Sequence, residues 1–474
     1  MNTMSYDQVY SIMNEILAQS QGTQSIRAVD TASFIACGTT VLEKGVDSTI
    51  NAISVVLSKT LWDNKPYNRK FKGMQMDSIR FGNFVRKITI VDGTFEQDNR
   101  LPLTDGQSVD PFTINKPKAL QTNWYGIDVY EKSVTIFKDQ LDVAFSSEAE
   151  FGRFISLVYS NIRDQFEKAY EETARATLAN MIGAKVKSDA KNVYYLFDEY
   201  YTATGISLTS ATYRDPQYYM DFCKWAFGFI NTISDFMEER SAKYHINLPG
   251  KTIMKHTPKN KQKMYLYSPE INQVSARIYS SVFSPEFLKY VDFEKVNFWQ
   301  NIDDPAKIIV KPSYTNSGDG TVVEEEDSIT VNNIFGVLFD EDACGYTRIN
   351  NWSAPSPFNP KGGYTNVFWH ESLRPWNSLF ENFVVFILDN KPTFDLTVTK
   401  GTHTTITITK NGTSMSATTA SDAIALGDLI TITATAGSGY DLTTFTVNGD
   451  DVTSPVTLYA DADLTIVTAA TEHV

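Results

Sequence analysis

A long run of apolar residues at helical spacing constrains this chain more than any other feature of its sequence. Ser146, Ser147 and Glu148 form a helix start with an acidic residue in the first turn. The apolar positions that follow at intervals of three and four are Phe151, Ile155, Val158, Ile162, Phe166, Ala169 and Thr173. We predict one helix over 148–183, which is about ten turns. A helix of this length is unusual in a compact enzyme and is typical of a structural scaffold.

The composition changes sharply around residues 390–392. The 82 residues that follow Pro392 include 22 threonines but no arginine, tryptophan or cysteine. Two lysines against nine acidic residues give this tail a charge of −7, half of the net −14 of the 474-residue chain. Alternating polar and apolar residues, with Asn411-Gly412 and Asn448-Gly449 as hairpin turns, predict a separate all-β module over 393–474.

Two short amphipathic helices are predicted near the N-terminus. The first follows a capping box formed by Ser5 and Gln8, and the second covers 46–61 before Pro66 stops it.

A long exposed hairpin is predicted over 68–130. Its strands are rich in β-branched and aromatic residues, and the stretch 95–118 between them has three prolines and few large apolar side chains. The return strand is expected to include Trp124, Ile127, Val129 and Tyr130. Farther along, the pattern predicts a mixed α/β region over 215–310, with a helix over 222–239, and a buried sheet over 364–388.

A basic cluster with interleaved aromatic residues marks the approach to this hairpin. It consists of Lys65, Arg69, Lys70 and Lys72 beside Tyr67 and Phe71. Such a cluster contacts either phosphate or a neighbouring acidic surface. The net charge of −14 favours the acidic surface, and it argues against tight binding of the chain to DNA or anionic lipid.

The sequence shows few groups arranged for catalysis. The five histidines have no paired metal-ligand spacing, and the chain has no G-x-S-x-G elbow, P-loop or dinucleotide-binding glycine motif. The acidic run over 324–327 has the oxygen chemistry of a cation site, and Asp340 with Asp342 could form a pair for acid–base work. The favoured interpretations are a solvated loop for the run over 324–327 and ordinary strand-end carboxylates for Asp340 and Asp342. We therefore predict no catalytic residue, cofactor or metal.

Cysteine spacing and the first residues bear on the compartment. Cys37, Cys223 and Cys344 form no C-x-x-C pair, so they are expected to be reduced and in a core. The first eight residues lack the pattern of a secretory signal, and the longest apolar run, over 383–388, is too short to span a membrane. A soluble protein made in the cytoplasm is expected.

The order of these parts resembles the major capsid protein of tailed phages. Three stretches carry the resemblance: 65–73 (KPYNRKFKG) followed by 88–90, then 133–136 through 151–154, and finally 360–364 with 368–370 and 382–386. The detail is most similar to the major head protein of short-tailed phages of the picovirus type, with an immunoglobulin-like C-terminal module. Parts of the tail, such as 447–449 and 452–455, also resemble repeat modules of bacterial surface proteins.

The resemblance implies an α+β, Hong Kong 97-type capsid fold with a long spine helix, an extended hairpin loop and an all-β immunoglobulin-like sandwich. The implied domains are an N-terminal arm (1–67), the extended hairpin (68–130), a peripheral domain (131–214 and 351–390, with the spine helix over 148–183), an axial domain (215–350) and a surface domain (393–474).

The resemblance also implies a role in assembly. Subunits would form pentamers and hexamers of an icosahedral head in the bacterial cytoplasm, and the virion shell would enclose double-stranded DNA by weak contacts. A separate scaffolding protein, a portal protein and, through 393–474, host-surface glycans are the other implied partners. The residues expected to contact a neighbouring subunit are Lys65, Arg69, Lys70, Phe71, Lys72, Arg100, Lys116, Lys118 and Trp124.

Two other interpretations stay open. A bacterial compartment shell has the same capsid fold but encloses enzymes, and the size of this chain and its β module argue against it. A carbohydrate-active protein with a glycan-binding tail would need a carboxylate site and aromatic residues exposed on one face. The tail offers few aromatic residues, namely Phe394, Tyr440, Phe445 and Tyr459.

Overall fold

The fold is described from a computed structural model of the chain. It describes residues 6–21, 27–45, 48–53, 69–76, 84–93, 103–108, 112, 114, 116–279, 293–318, 320–460 and 462–472. The helices are α1 (Tyr6–Gln21), α2 (Thr31–Glu43), α3 (48–53), α4 (Lys138–Ala144), α5 (Glu148–Ser188), α6 (Leu196–Thr204), α7 (Tyr219–Phe236) and α8 (Ser268–Tyr279).

The strands before residue 390 are β1 (Gln75–Met76), β2 (Val85–Ile90), β3 (Ala119–Trp124), β4 (Asp128–Phe137), β5 (Val193–Tyr195), β6 (Gln262–Tyr267), β7 (Glu294–Val296), β8 (Ile308–Val310), β9 (Ser313–Thr315), β10 (Val322–Glu324), β11 (Ile329–Val331), β12 (Ile334–Asp340), β13 (Cys344–Pro355), β14 (Tyr364–Asn377) and β15 (Phe383–Ile387). Those after it are β16 (Thr393–Lys400), β17 (Thr404–Lys410), β18 (Thr413–Met415), β19 (Ala420–Ala425), β20 (Leu429–Ala436), β21 (Tyr440–Val447), β22 (Asp450–Asp451), β23 (Val456–Tyr459) and β24 (Leu464–Glu472).

The chain divides into two compact units. Unit 1 is made of Met1–Ile90, Ala119–Leu178 and Cys344–Asn377. Unit 2 is made of Val91–Lys118, Ala179–Ala343 and Ser378–Val474. The division into arm, hairpin, peripheral, axial and surface domains stays a prediction.

Unit 1 is built on a four-stranded sheet in the order β1-β13-β14-β4. Alternation along β14 sends Val367 and Trp369 to one face, where they join Ile136 of β4 in a core with the N-terminal helices. Val9 of α1 and Phe34 of α2 belong to the same core. Strand alternation and helix periodicity thus bury complementary apolar faces against each other.

Strands β2 and β3 form a separate two-stranded antiparallel ribbon. Its register pairs Val85 with Trp124 and Ile90 with Ala119. This ribbon lies within the segment predicted as an extended hairpin.

The long helix α5 begins at Glu148, as predicted, and ends at Ser188, five residues later than predicted. Gly183 does not cap it. A Cβ at Gly183 would lie 2.7 Å from Cγ1 of Val310, so the glycine allows β8 to approach the helix closely. The residue that looked like a helix terminator is a packing residue inside the helix.

One five-stranded sheet of unit 2 has the order β5-β15-β12-β6-β7. Every residue of β12 and β15 is buried, as is typical of strands with both faces covered. The core on one side includes Leu338, Phe386 and the apolar face of α7, represented by Phe222 and Ile230.

Residues after 392 form two sheets, β19-β16-β24-β21-β22 and β18-β17-β20-β23. Leu396, Ile406, Ile432 and Ile466 are among the residues of a shared core. Both predicted Asn-Gly turns are confirmed. Asn411-Gly412 and Asn448-Gly449 join antiparallel strands with positive φ at both residues.

Several local predictions differ from the structure. The predicted return strand is broken, because Trp124 ends β3 whereas Val129 and Tyr130 belong to β4, which pairs with β14 instead. The helix predicted over 222–239 runs three residues earlier, as Tyr219–Phe236. Helices α2, α4 and α6 were not predicted. Ser5 and much of the predicted second helix lie outside the described residues.

Candidate subunit interface

The approach to the hairpin begins at Arg69, whose side chain is used within unit 1. Its Nη1 donates to Oε2 of Glu167 on α5 at 3.1 Å, and its Nη2 donates to Oε1 of Gln75 on β1. The Arg69 and Glu167 side chains are only 11% and 18% exposed. An ion pair this sheltered is screened less by solvent than a surface pair, so it fixes the start of β1 to the long helix.

The ring of Tyr170 on α5 contacts two guanidinium groups. Cζ of Arg69 is 4.9 Å from its centroid, and Cζ of Arg348 on β13 is 5.2 Å from it. Arg348 is held in turn by Glu371 on β14, with Nε to Oε1 at 2.8 Å. Burial, followed by the Glu371 carboxylate, raises the pKa of Tyr170 well above its usual range, so the ring stays neutral. The arginines therefore contact an uncharged aromatic face, which favours cation–π attraction.

Phe71 is fully buried next to this cluster. Cζ of Arg175 lies 5.0 Å from its ring centroid, and Arg175 is paired with Glu171 one turn earlier on α5, with Nη2 to Oε1 at 2.5 Å. Strand β1 then pairs in parallel with β13, with Gln75 opposite Tyr346. The basic, aromatic approach is thus an internal clamp in which Arg69 and Phe71 hold the base of the hairpin segment.

The other predicted contact residues have different surroundings. Lys70, Lys72, Lys116 and Lys118 are exposed. Trp124 is half-buried, with its Nε1 donating to the backbone oxygen of Asn377 at 2.8 Å. Lys65 and Arg100 lie outside the described residues. The exposed lysines have side-chain surface to offer a neighbour, whereas the side chain of Phe71 offers none in the single chain.

The β2–β3 ribbon has one half-buried face and one exposed face. Residues directly opposite in an antiparallel pair share a face, so Arg86, Ile88 and Ile90 lie with Gln121 and Ala119. Ile88 is 59% exposed and Ile90 is 69% exposed. Two β-branched apolar side chains on an open ribbon face are a typical element of a protein contact surface. Sequence alternation alone would bury this face, because Ile88 and Ile90 are more apolar than Lys87 and Thr89 on the other face of β2.

The carboxylates singled out in the sequence have structural partners. Asp340 is buried, and its Oδ1 accepts from the backbone N of Asp342 at 2.8 Å. In the acidic run, Glu325 accepts from the Tyr314 hydroxyl at 2.7 Å. Among the residues that the structure describes, no group of three or more His, Cys, Asp or Glu is placed to hold a metal ion. None of the described helices is both long and apolar enough to cross a membrane.

A sequence model of a protein family identifies the family of this chain. The model for the Phi29-like phage major capsid protein matches residues 9–387, well over half of the chain. The chain belongs to this family. It is a structural protein of a tailed phage, a major capsid protein located in the shell of the virion. The match ends just before the compositional break, so the threonine-rich module lies beyond the residues matched to the family.

Solved capsid structures resemble this capsid protein at low sequence identity. The capsid structure of Staphylococcus phage Andhra is 11% identical, with 70% of this chain and 87% of that chain covered and a TM-score of 0.45. A chain from the head-fibre and inner-core structure of bacteriophage P68 is 13% identical, with 70% and 87% covered and a TM-score of 0.44. A capsid chain of cyanophage P-SCSP1u is 10% identical, with 70% and 91% covered and a TM-score of 0.35. No match was found among curated protein sequences.

Proposed function

We propose that this capsid protein assembles through its hairpin, 68–130, which lies across the neighbouring subunit in pentamers and hexamers of an icosahedral head. The shell has the Hong Kong 97-type organisation and encloses double-stranded DNA. In this proposal α5 is the spine of a peripheral domain (131–214 and 351–390), and 215–350 forms the axial domain.

The exposed apolar surface of the hairpin segment is the observation that supports the proposal most directly. Besides Ile88 and Ile90 on the ribbon, Phe112 is 84% exposed and Ile114 is 80% exposed. Burying four such side chains against a neighbour would contribute roughly 1.5–3 kcal/mol each before the cost of association.

Charge supports the same arrangement. Exposed basic residues of the hairpin segment include Arg86, Lys116 and Lys118, whereas the chain as a whole carries −14. A basic hairpin against an acidic neighbour favours the correct encounter between subunits. The negative total charge also keeps contacts with packaged DNA weak, because tight phosphate binding needs a basic surface.

The module over 393–474 is proposed to be an immunoglobulin-like domain on the outside of the shell, as in heads of the picovirus type. One face of its β18-β17-β20-β23 sheet is a hydroxyl surface, which we define by the cross-strand pairs Thr405–Thr435, Thr407–Thr433 and Thr409–Thr431. Thr457 extends it, 3.1 Å from Thr431 between hydroxyl oxygens. A neutral, hydroxyl-rich face suits hydrogen bonding to host-surface glycans. A separate scaffolding protein and a portal protein complete the proposed set of partners.

Electron microscopy of two charge variants tests the assembly proposal. Ile88→Lys with Ile90→Lys, co-expressed with the neighbouring phage genes, is expected to abolish closed shells and leave soluble subunits. Ile302→Lys is the matched control, because Ile302 is 72% exposed but lies outside the hairpin. Normal shells from the double variant would contradict the proposed role of the ribbon. The DNA content of wild-type shells distinguishes a phage head from a compartment that encloses enzymes.

Adhesion to host cells tests the proposal for the module. Heads that carry Thr407→Lys with Thr433→Lys should bind cells less than heads that carry Thr397→Lys, a substitution on the other sheet of the module. Equal binding by the two variants and by wild type would contradict a glycan-binding role for the hydroxyl surface.

A further inference from the structure

Four buried residues of unit 2 form a continuous hydrogen-bonded chain. They are His245, Asn382, Thr257 and Asp340, with exposures of 0%, 0%, 0% and 8%. His245 Nδ1 lies 3.0 Å from Oδ1 of Asn382, whose Nδ2 lies 3.1 Å from Oγ1 of Thr257. The Thr257 hydroxyl lies 2.7 Å from Oδ2 of Asp340. The other ring nitrogen of His245, Nε2, lies 2.7 Å from the backbone oxygen of Ile253.

Counting hydrogens shows that this chain is one proton short at its ordinary ionisation. Four contacts each need one hydrogen: Ile253 to His245, His245 to Asn382, Asn382 to Thr257, and Thr257 to Asp340. A neutral imidazole supplies one, the Asn382 amide supplies one along the chain, and the Thr257 hydroxyl supplies one. A carboxylate supplies none. Three hydrogens for four contacts leave two lone pairs facing each other in a buried site, which is costly.

Asn247, a further side chain at the imidazole within the described part of the chain, does not remove this deficit. Nδ2 of Asn247 lies 3.4 Å from Nε2 of His245, at the long limit for a hydrogen bond, while Oδ1 of Asn247 accepts from the backbone N of Ile253 at 2.7 Å. If Asn247 donated to Nε2, the short contact between Nε2 and the Ile253 oxygen would lose its hydrogen instead.

We propose that His245, Asn382, Thr257 and Asp340 form a proton-holding relay, in which one additional proton completes all four hydrogen bonds and resides on Asp340. Protonated Asp340 then donates to Thr257, Thr257 donates to Oδ1 of Asn382, and Asn382 donates to Nδ1 of a neutral His245. This arrangement requires the Asn382 amide to be turned by 180° from the orientation described above, which instead suits a proton on the imidazole. The two amide orientations have the same shape.

The surroundings place the proton on the carboxyl group. Burial raises the pKa of Asp340, and the carboxylates of Glu381 and Asp342 raise it further, against the opposing hydrogen bonds from Asp342 and Thr257. Burial lowers the pKa of His245, and the positive charge of Lys185 on α5 lowers it further. The hydrogen bonds of His245 and the negative charge of Glu381 raise this pKa in opposition. The remaining charges are paired nearby: Lys185 with Asp189, Glu381 with Lys255, and Lys261 with Glu341.

The relay links three separate parts of unit 2. His245 and Thr257 lie in the loops between α7 and β6, Asn382 directly precedes β15, and Asp340 ends β12. Because the folded state binds the proton more tightly than an unfolded chain, stability from the relay is fully present below the unfolded pKa of Asp340 and is lost as the pH rises through its raised folded pKa. The contribution of the relay to the stability of unit 2 therefore increases as the pH falls. It does not depend on the proposed assembly contacts.

The variant Asp340→Asn tests the relay, because its amide supplies the missing hydrogen at every pH. We expect the Tm of the full-length protein at pH 8.0 to rise by about 2 °C or more. The gain should shrink as the pH is lowered through the raised folded pKa of Asp340, because wild-type Asp340 then carries its own proton. Asp342→Asn is the matched control, since it removes the same charge two residues away, and should give no such gain.

Two results would overturn the relay. The first is a Tm of Asp340→Asn below wild type at pH 8.0, which an ordinary carboxylate acceptor predicts. The second comes from the background variant Thr257→Val, which interrupts the chain: the gain from Asp340→Asn must disappear there, and its persistence would show that the gain arises elsewhere. As a direct readout, ¹⁵N-histidine spectra at the acidic pH where the gain from Asp340→Asn has disappeared should show His245 as the neutral Nε2–H tautomer, and an imidazolium there would contradict the placement on Asp340.

Discussion

Arg69 lies over the ring of Tyr170, with Cζ 4.9 Å from the ring centroid, and this contact joins the base of the hairpin segment to the long helix α5. Arg348 covers the same ring at 5.2 Å, so strand β13 is held at the same point. A segment with an exposed ribbon needs a fixed base if it is to present that ribbon in one direction. The clamp supplies it within unit 1.

Removing the arginine of the clamp should destabilise the subunit. Arg69→Met leaves Glu167 sheltered without its cation and removes one cation–π contact, so we expect a loss of about 2 kcal/mol in the free energy of unfolding. Denaturant unfolding measures it. Arg153→Met is the control, because the ion pair of Arg153 with Glu150 is exposed and should contribute little. Equal effects of both substitutions would contradict the clamp.

Two helical glycines should respond in opposite directions to alanine. Gly183→Ala places a Cβ 2.7 Å from Cγ1 of Val310 and should cost about 1–3 kcal/mol through overpacking. Gly228→Ala in α7 meets nothing within 4 Å and should stabilise by about 0.5–1 kcal/mol, since alanine favours the helix. Thermal unfolding of the two variants compares them. A stabilised Gly183→Ala would show that β8 does not pack closely on α5.

The cysteines should be unreactive in the folded protein. Cys37, Cys223 and Cys344 are free and buried, and burial raises the pKa of the Cys37 and Cys344 thiols. The thiolate is the reactive form, so both burial and the raised pKa slow the reaction. A thiol titration at pH 8 should count none of the three in native protein and all three in guanidinium chloride. Rapid labelling of Cys344 without denaturant would contradict its burial in unit 1.

The threonine-rich module should fold without the rest of the chain. It has two sheets and its own apolar core, which includes Leu396, Ile432 and Ile466. A fragment of residues 393–474 should show β-sheet circular dichroism and a cooperative thermal transition. Ile432→Asp, which places a charge in that core, is the control and should abolish the transition. A disordered wild-type fragment would mean that contacts with other parts of unit 2 are needed.

Features that depend on local periodicity or on turn chemistry can be predicted from the amino-acid sequence. The apolar spacing of α5 requires a long amphipathic helix, and the Asn-Gly pairs at 411–412 and 448–449 require hairpin turns because both residues must adopt positive φ. The compositional break at 390–392 coincides with the start of the all-β module. The resemblance of dispersed stretches to tailed-phage capsid proteins is confirmed at the level of the family by the match over 9–387.

Long-range contacts set which face a residue lies on, which partner it has and where a helix ends. The local sequence predicts that Gly183 ends the helix, yet α5 continues to Ser188. The missing side chain of Gly183 leaves the space that β8 occupies. Arg69 belongs to a basic cluster that the sequence predicts at the surface, but Glu167 and Tyr170, about a hundred residues away in sequence, hold its side chain inside unit 1 while Lys70 and Lys72 stay exposed. Likewise, the hydrogen-bonded chain that ends at Asp340 forms only because folding brings His245, Thr257 and Asn382 together. Contacts between residues so distant in sequence leave no periodic signal in the chain, since the fold, and not the spacing, sets which groups meet.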